Sequence, residues 1–274
     1  MSAPEPLTLY CVPHAGGSAR SFVRWRRELP PAVVVARPLE IAGKGLRSRE
    51  PRATTLREAA ADLAARVDPG GRYALFGHSM GGLLAHETAQ ALARLGRPAP
   101  AFVVVAAARP PHLLEDSSYG PLLELGDDAL LDALAAHGRI PREVRTSPMR
   151  HQFVPVIRGD LALLAGYRTD PPPRPLTCDL LTWYGTGDPD TPPGTAAGWR
   201  PYTRAAHRTE AFAGGHFFPH ELFPEVARRL VELSERAQGR GRGRAEGQER
   251  TAGQEQARGR LLGPASGPRK TSGR

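Results

Sequence analysis

Apolar and polar positions fall into two patterns along the first 235 residues. Short, mostly apolar runs at Leu7–Val12, Val33–Ala36, Tyr73–Phe76, Phe102–Ala106, Leu180–Tyr184 and Thr209–Phe212 have the length and side-chain types of strands. Between them, Ser18–Leu29, Leu56–Val67, Met80–Leu95 and Glu221–Ser234 carry apolar residues at helical spacing. Strands that are apolar throughout are covered on both faces, so the alternation predicts an α/β fold: a mostly parallel central sheet flanked by helices. One interval breaks the rhythm. Pro110 to Pro175 contains no strand-like run. Asp127–His137 and Met149–Tyr167 read as helices, the second kinked or split at Pro155. A helical insertion at about 111–175, between two strands, is expected to form a lid over a site. Several of Leu130, Leu131, Leu134, Met149, Phe153, Val156 and Ile157 are expected to face inward and line it.

Composition changes this picture mainly at the C-terminus. The chain has 274 residues, 40% hydrophobic and 24% charged, as in a globular protein with a sizeable core. No apolar run approaches the roughly 18 residues of a membrane span. The net charge of +9 raises the question of nucleic acid. From Arg236 onward, however, ten Lys or Arg stand against three Glu, so this stretch carries +7 and the body only +2. The sequence therefore divides into a folded domain over 1–238 and a basic, Gly- and Arg-rich tail over 239–274. The tail is expected to be disordered, and no aromatics interleave with its arginines to bind nucleic acid. Two cysteines, Cys11 and Cys178, exclude a disulfide scaffold and a Cys-rich metal site. With no signal-peptide pattern at Met1–Pro6, a reducing cytoplasm is the expected compartment.

The chemistry concentrates at strand ends. Gly77-His78-Ser79-Met80-Gly81 is a G-x-S-x-G motif directly after one predicted strand and directly before a helix. A serine there sits on a tight turn with its hydroxyl exposed, and only glycines leave room for that turn. A serine hydroxyl needs a base. Of nine histidines, His216 is placed for this, because it follows a late strand on the turn Gly214-Gly215. His78 and His86 read as structural. His216 and His220 resemble a zinc pair in spacing, but Pro219 between them and the lack of a neighbouring Glu speak against metal. The orienting acid is expected after Leu180–Tyr184, where Asp188 is favoured over Asp190. The backbone amides of Met80 and Ala15, the latter in Pro13-His14-Ala15-Gly16-Gly17-Ser18, are the candidate oxyanion donors. This set requires no cofactor.

These motifs resemble the type II thioesterases, α/β-hydrolases that accompany polyketide synthases and nonribosomal peptide synthetases. The likeness covers about residues 7–235. It rests on Pro13–Ser18 with Phe22 and Trp25, Gly43-Lys44-Gly45-Leu46-Arg47 leading to Glu50-Pro51, Leu75–Gly81, Arg109-Pro110-Pro111-His112 and Gly215-His216-Phe217-Phe218. The chain departs from it at Ala42-Gly43-Lys44, where the family usually has Pro-Gly-Arg. It departs also at Gly82, commonly Ala, and at His86, usually a large apolar residue. The resemblance implies an α/β-hydrolase fold and a Ser79, Asp188, His216 triad. It also implies hydrolysis of stalled acyl thioesters on the phosphopantetheine arm of acyl or peptidyl carrier proteins. A carboxylesterase of small esters and a non-catalytic hydrolase-like binding protein are the alternatives.

Overall fold

The computed structural model describes residues 5–114, 119–169 and 174–239. Two compact units divide the chain, 1–231 and 232–274; of the second, 232–239 is described and is helical. The basic tail predicted from 239 on lies outside the described residues, apart from Gly239.

Six strands make one parallel sheet in the order β2-β1-β3-β4-β5-β6: β1 Leu7–Val12, β2 Val34–Pro38, β3 Tyr73–His78, β4 Phe102–Ala106, β5 Asp179–Gly185 and β6 His207–Phe212. All six predicted strands are present. Every residue of β3 and β4 is buried, the pattern the uninterrupted apolar runs predicted. Alternate side chains serve opposite faces. Leu75, Val103 and Val105 join a core with α2 (Leu56–Ala64) and α3 (Met80–Arg94). Phe76 instead packs on Trp25 of α1 (Val23–Glu28) and on Trp183. Helices thus cover both faces.

Because β1 lies between β2 and β3, successive connections leave it in opposite directions. Chain order reverses there, the place where open α/β sheets bind ligands, outside the carboxyl ends of the strands. The register sets Val12 beside Gly77 and His78 beside Ala106. The loops after β1, β3 and β4 are therefore neighbours, with those after β5 and β6 further along the same edge.

Between β4 and β5 the described chain holds four helices: α4 Tyr119–Leu123, α5 Asp127–Ala136, α6 Arg142–Thr146 and α7 Arg150–Ala165. Of the two outcomes expected at Pro155, a kink or a split, the split does not occur: α7 runs through it as one helix. Proline removes one N–H and leaves the carbonyl four residues earlier without its helical donor. That carbonyl belongs to exposed His151, where water can replace the donor. Two further boundaries differ. Ser18–Leu29 is a 3-10 turn at Ala19–Phe22 followed by the short α1. The closing helix starts at 223, after a separate turn, α9 (Phe218–Glu221), that carries His220; α8 is Pro193–Ala197. No helix of the described residues is long and apolar enough to cross a membrane.

Candidate active site

Ser79 joins β3 to α3 with φ +57° and ψ −121°, a conformation L-residues rarely hold. The surroundings enforce it. A Cβ on Gly77 would collide with the Gly81 carbonyl, and one on Gly81 would collide with the Val12 carbonyl. The Ser79 N–H donates to the Ala106 carbonyl at 2.8 Å, and its carbonyl accepts the Gly82 N–H at 2.8 Å. The strained residue is thus fixed from both sides, at the positive end of the fifteen-residue α3.

Three residues after β5, Asp188 is buried. Its Oδ2 lies 2.9 Å from His216 Nδ1 and accepts the Thr191 hydroxyl at 2.7 Å, while Oδ1 accepts the Asp190 N–H at 3.0 Å. Burial pushes the Asp188 carboxyl up, but the hydrogen bonds from His216, Thr191 and the Asp190 amide outweigh it and hold the group below the usual carboxylate range. An ionised carboxylate only accepts, so His216 carries its proton on Nδ1, and Nε2 keeps a lone pair. Asp190, the weaker candidate, is otherwise engaged. Arg139 grips it at 2.5 and 2.8 Å and Arg109 at 2.9 Å. Burial raises its carboxyl too, and the two arginines bring it below the usual range.

Behind His216 lies a second histidine layer that the sequence reading only partly saw. His78 Nε2 is 2.8 Å from the His216 carbonyl oxygen, and His78 Nδ1 is 3.2 Å from His220 Nε2. A carbonyl only accepts, so His78 donates from Nε2 and accepts from His220 on Nδ1. Burial, with neighbouring histidines adding to it, holds His78 and His14 well below the usual histidine range; burial alone brings His220 to about 4. All are neutral near pH 7. This chain runs from the turn carrying Ser79 to the loop carrying His216, so the two loops are fixed relative to each other. His86 is fully buried beside Trp199 and Tyr202, lowered to about 3 by burial, and is a core residue. Among the described residues, two groupings bring potential metal ligands within 4.8 Å of one another: His14, His78 and His220, and Asp188, Asp190 and His216. In both, the hydrogen bonds above already occupy several of the ligand atoms.

Ser79, Met80, Ala15, His14 and His216 line one cleft. Its other walls are apolar residues of α3, β4's end and the insertion, with Arg109, Arg139 and Asp190 as a charged patch. Of the seven insertion residues, several of which were expected to face inward, Leu134 and Ile157 line the cleft. Leu130 and Leu131 are buried and Val156 is half-buried, but Met149 and Phe153 are exposed, at 54% and 37%. Sequence reasoning also missed Arg109 and Arg139 as partners of Asp190, and Lys44 and Asp160, which form a buried pair at 2.6 Å.

With this geometry in place, comparison with known proteins is direct. The profile of the Thioesterase domain family matches residues 7–233. Thioesterase PikA5 of Streptomyces venezuelae is 32% identical over 222 residues, spanning 80% of this chain and 77% of its own. The crystal structure of ClbQ, from the colibactin NRPS/PKS pathway, superposes with a TM-score of 0.77 at 32% identity, covering 85% of this chain and 98% of that one. BorB, a type II thioesterase from the borrelidin biosynthetic cluster, gives 0.74 at 29% identity, covering 84% and 94%. The chain belongs to the Thioesterase domain family and is a thioester hydrolase of the α/β-hydrolase fold.

Proposed function

We propose that the chain is an editing thioesterase that clears stalled acyl groups from phosphopantetheinyl carrier proteins of polyketide or nonribosomal peptide assembly lines. Its relatives in such pathways support that role, and the single observation carrying the chemistry is the 2.9 Å pairing of His216 with Asp188 beside the strained Ser79 turn. Ser79 Oγ attacks the thioester carbonyl carbon while His216 Nε2 takes its proton. Asp188 holds the imidazole in the required tautomer and balances its new charge. The Ala15 and Met80 amides receive the oxyanion. The C–S bond then breaks, and the proton on His216 passes to the departing pantetheine sulfur. Water attacks the acyl-Ser79 ester, gives its proton to His216, and the acid leaves as Ser79 recovers its hydrogen. The protein acts in the cytoplasm in this reading, and the 111–175 segment is a lid that favours carrier-bound substrates.

The test presents one acyl group two ways, on a carrier protein and on N-acetylcysteamine. Remote contacts to the carrier are expected to raise kcat/KM at least tenfold over the short thiol. Equal values would reject carrier recognition, and faster turnover of the matching free oxygen ester than of either thioester would favour a carboxylesterase.

A further inference from the structure

The proposed oxyanion loop is held from outside the triad. Asp160 is nearly inaccessible, on the inner face of α7, and its Oδ2 accepts from two donors: Lys44 Nζ at 2.6 Å and the Gly16 N–H at 2.7 Å. Lys44 comes from the loop after β2. Arg47 holds that loop in place by hydrogen bonds to Asp62, Glu50 and the Glu40 carbonyl. Three segments far apart in sequence thus meet at one carboxylate oxygen. The contact with the loop is close. Gly16 has φ +77°, and a Cβ there would come within 2.8 Å of Ile157 Cγ1, one turn before Asp160 on α7. Ile157 also lines the cleft. The same helix face therefore borders the acyl site and fixes the loop.

Gly16 spends its N–H on Asp160, so it is turned away from the cleft, and Ala15 is the neighbour left to supply a donor there. We infer that Asp160 is a positioning residue for the oxyanion hole. It holds the Gly16 amide so that the preceding Ala15 amide stays aimed at the reacting carbonyl, and Lys44 compensates its buried charge. This rests on the reading of Ser79 and Ala15 above, which fluorophosphonate labelling of Ser79 in the unaltered protein tests by itself.

A merely structural ion pair makes a different prediction. A buried pair can often be exchanged for apolar residues with little loss of stability. Lys44→Met/Asp160→Leu removes both charges and the acceptor for Gly16; Lys44→Met/Asp160→Asn removes both charges but keeps an amide oxygen that can accept from Gly16. The readouts are Tm, kcat and KM on an acyl N-acetylcysteamine thioester, with rates normalised to sites titrated by fluorophosphonate. The Leu pair is expected to lose on the order of 10- to 100-fold in kcat at near-constant KM, as for a displaced oxyanion donor. The Asn pair is expected to recover most of it at a similar Tm. Equal kcat for the two pairs, or a wild-type kcat in the Leu pair, would overturn the assignment. Should the Leu pair not fold, Asp160→Asn and Asp160→Ser on native Lys44 decide the same point: serine is too short to reach Gly16, so its kcat should be at least tenfold the lower, and equality sinks the inference.

Discussion

Within the insertion, α7 and the segment α4–α6 are attached by different physics. Lys44 and Asp160 pin α7 to the body with side chains 1% and 2% exposed, and just past its end the Tyr167 hydroxyl donates to buried Glu87 at 2.6 Å. The acidic face of α5 is tied instead by surface pairs: Asp127 to Arg158, Asp128 to Arg150 and Asp132 to Arg145, with the carboxylates 52–66% exposed. Breaking a buried pair strands a charge in low dielectric, whereas exposed pairs contribute about 0–1 kcal/mol and are screened by salt. In the lid reading proposed above, α7 is the fixed wall of the site and α4–α6 its cover, which the body holds through buried Leu130, Leu131 and Leu134 and the Arg139–Asp190 pair. Substitutions in the fixed frame should act on kcat, and those in the cover on KM.

The largest expected effect tests the frame at its centre. Ser79→Ala should cost on the order of 10⁴ to 10⁶ in turnover with an unchanged Tm, since the backbone around residue 79 is held by its neighbours. Normal hydrolysis by a folded Ser79→Ala protein would remove the chemistry from this site altogether. Next, Asp188→Asn mis-sets the His216 tautomer and should cost about 10⁴ in kcat. Asp190→Asn weakens the hold on Arg139, which belongs to the cover, and should change mainly KM, by about tenfold or more, because this pair is only 11% exposed on each side. The reverse ranking of the two aspartates would move the orienting acid and merge frame with cover.

The histidine layer sharpens the comparison by pH. His86 has a folded pKa of about 3 and His220 about 4, each below the ordinary value near 6.5. Below pH 6.5 the unfolded chain binds protons that the folded chain refuses. Stability is then complete above about pH 6.5 and falls with acid by about 1.4 kcal/mol per pH unit for each such histidine, until its folded pKa is reached. His14 and His78 shift the same way. Denaturant melts between pH 7 and 4.5 should show this steep loss, and His86→Phe should flatten it by one proton. A Tm constant over that range would mean these rings are not neutral in the fold.

The sequence exposed the frame better than the cover because the two are encoded differently. Ser79, Asp188 and His216 each follow a strand on a turn whose glycines are visible, so position along the chain implies position on the sheet edge. Asp160 and Lys44 are separated by 116 residues, and their contact has no local pattern. The one trace of it is a carboxylate interrupting the apolar stripe Ile157, Leu161, Leu164. Helices of five residues, as in α4 and α6, are too short to show a period. Met149 and Phe153 lie close to the Ile157 face by i, i+4 spacing, yet they are exposed while Ile157 is buried. Periodicity shows which face of α7 is apolar, and it does not show how far along the helix the body covers that face.

The smallest expected effect isolates the cover. Asp132 pairs with Arg145 between α5 and α6 at an exposed position, far in sequence from every residue assigned to chemistry. Asp132→Ala should leave Tm nearly unchanged, and any small loss should shrink further in 0.5 M salt as screening removes what the pair contributed. Its kcat on the N-acetylcysteamine thioester should equal the wild-type value, because nothing in the frame has changed. What should shift is KM for the carrier-bound substrate, by up to a few-fold, with high salt moving the wild-type protein toward the variant. Identical KM values at low and high salt would show that α5 and α6 are as rigidly seated as α7, and the division of the insertion into wall and cover would fail. A fall in kcat from Asp132→Ala would fail it in the opposite direction, by showing that the surface pairs also hold the reacting groups in place.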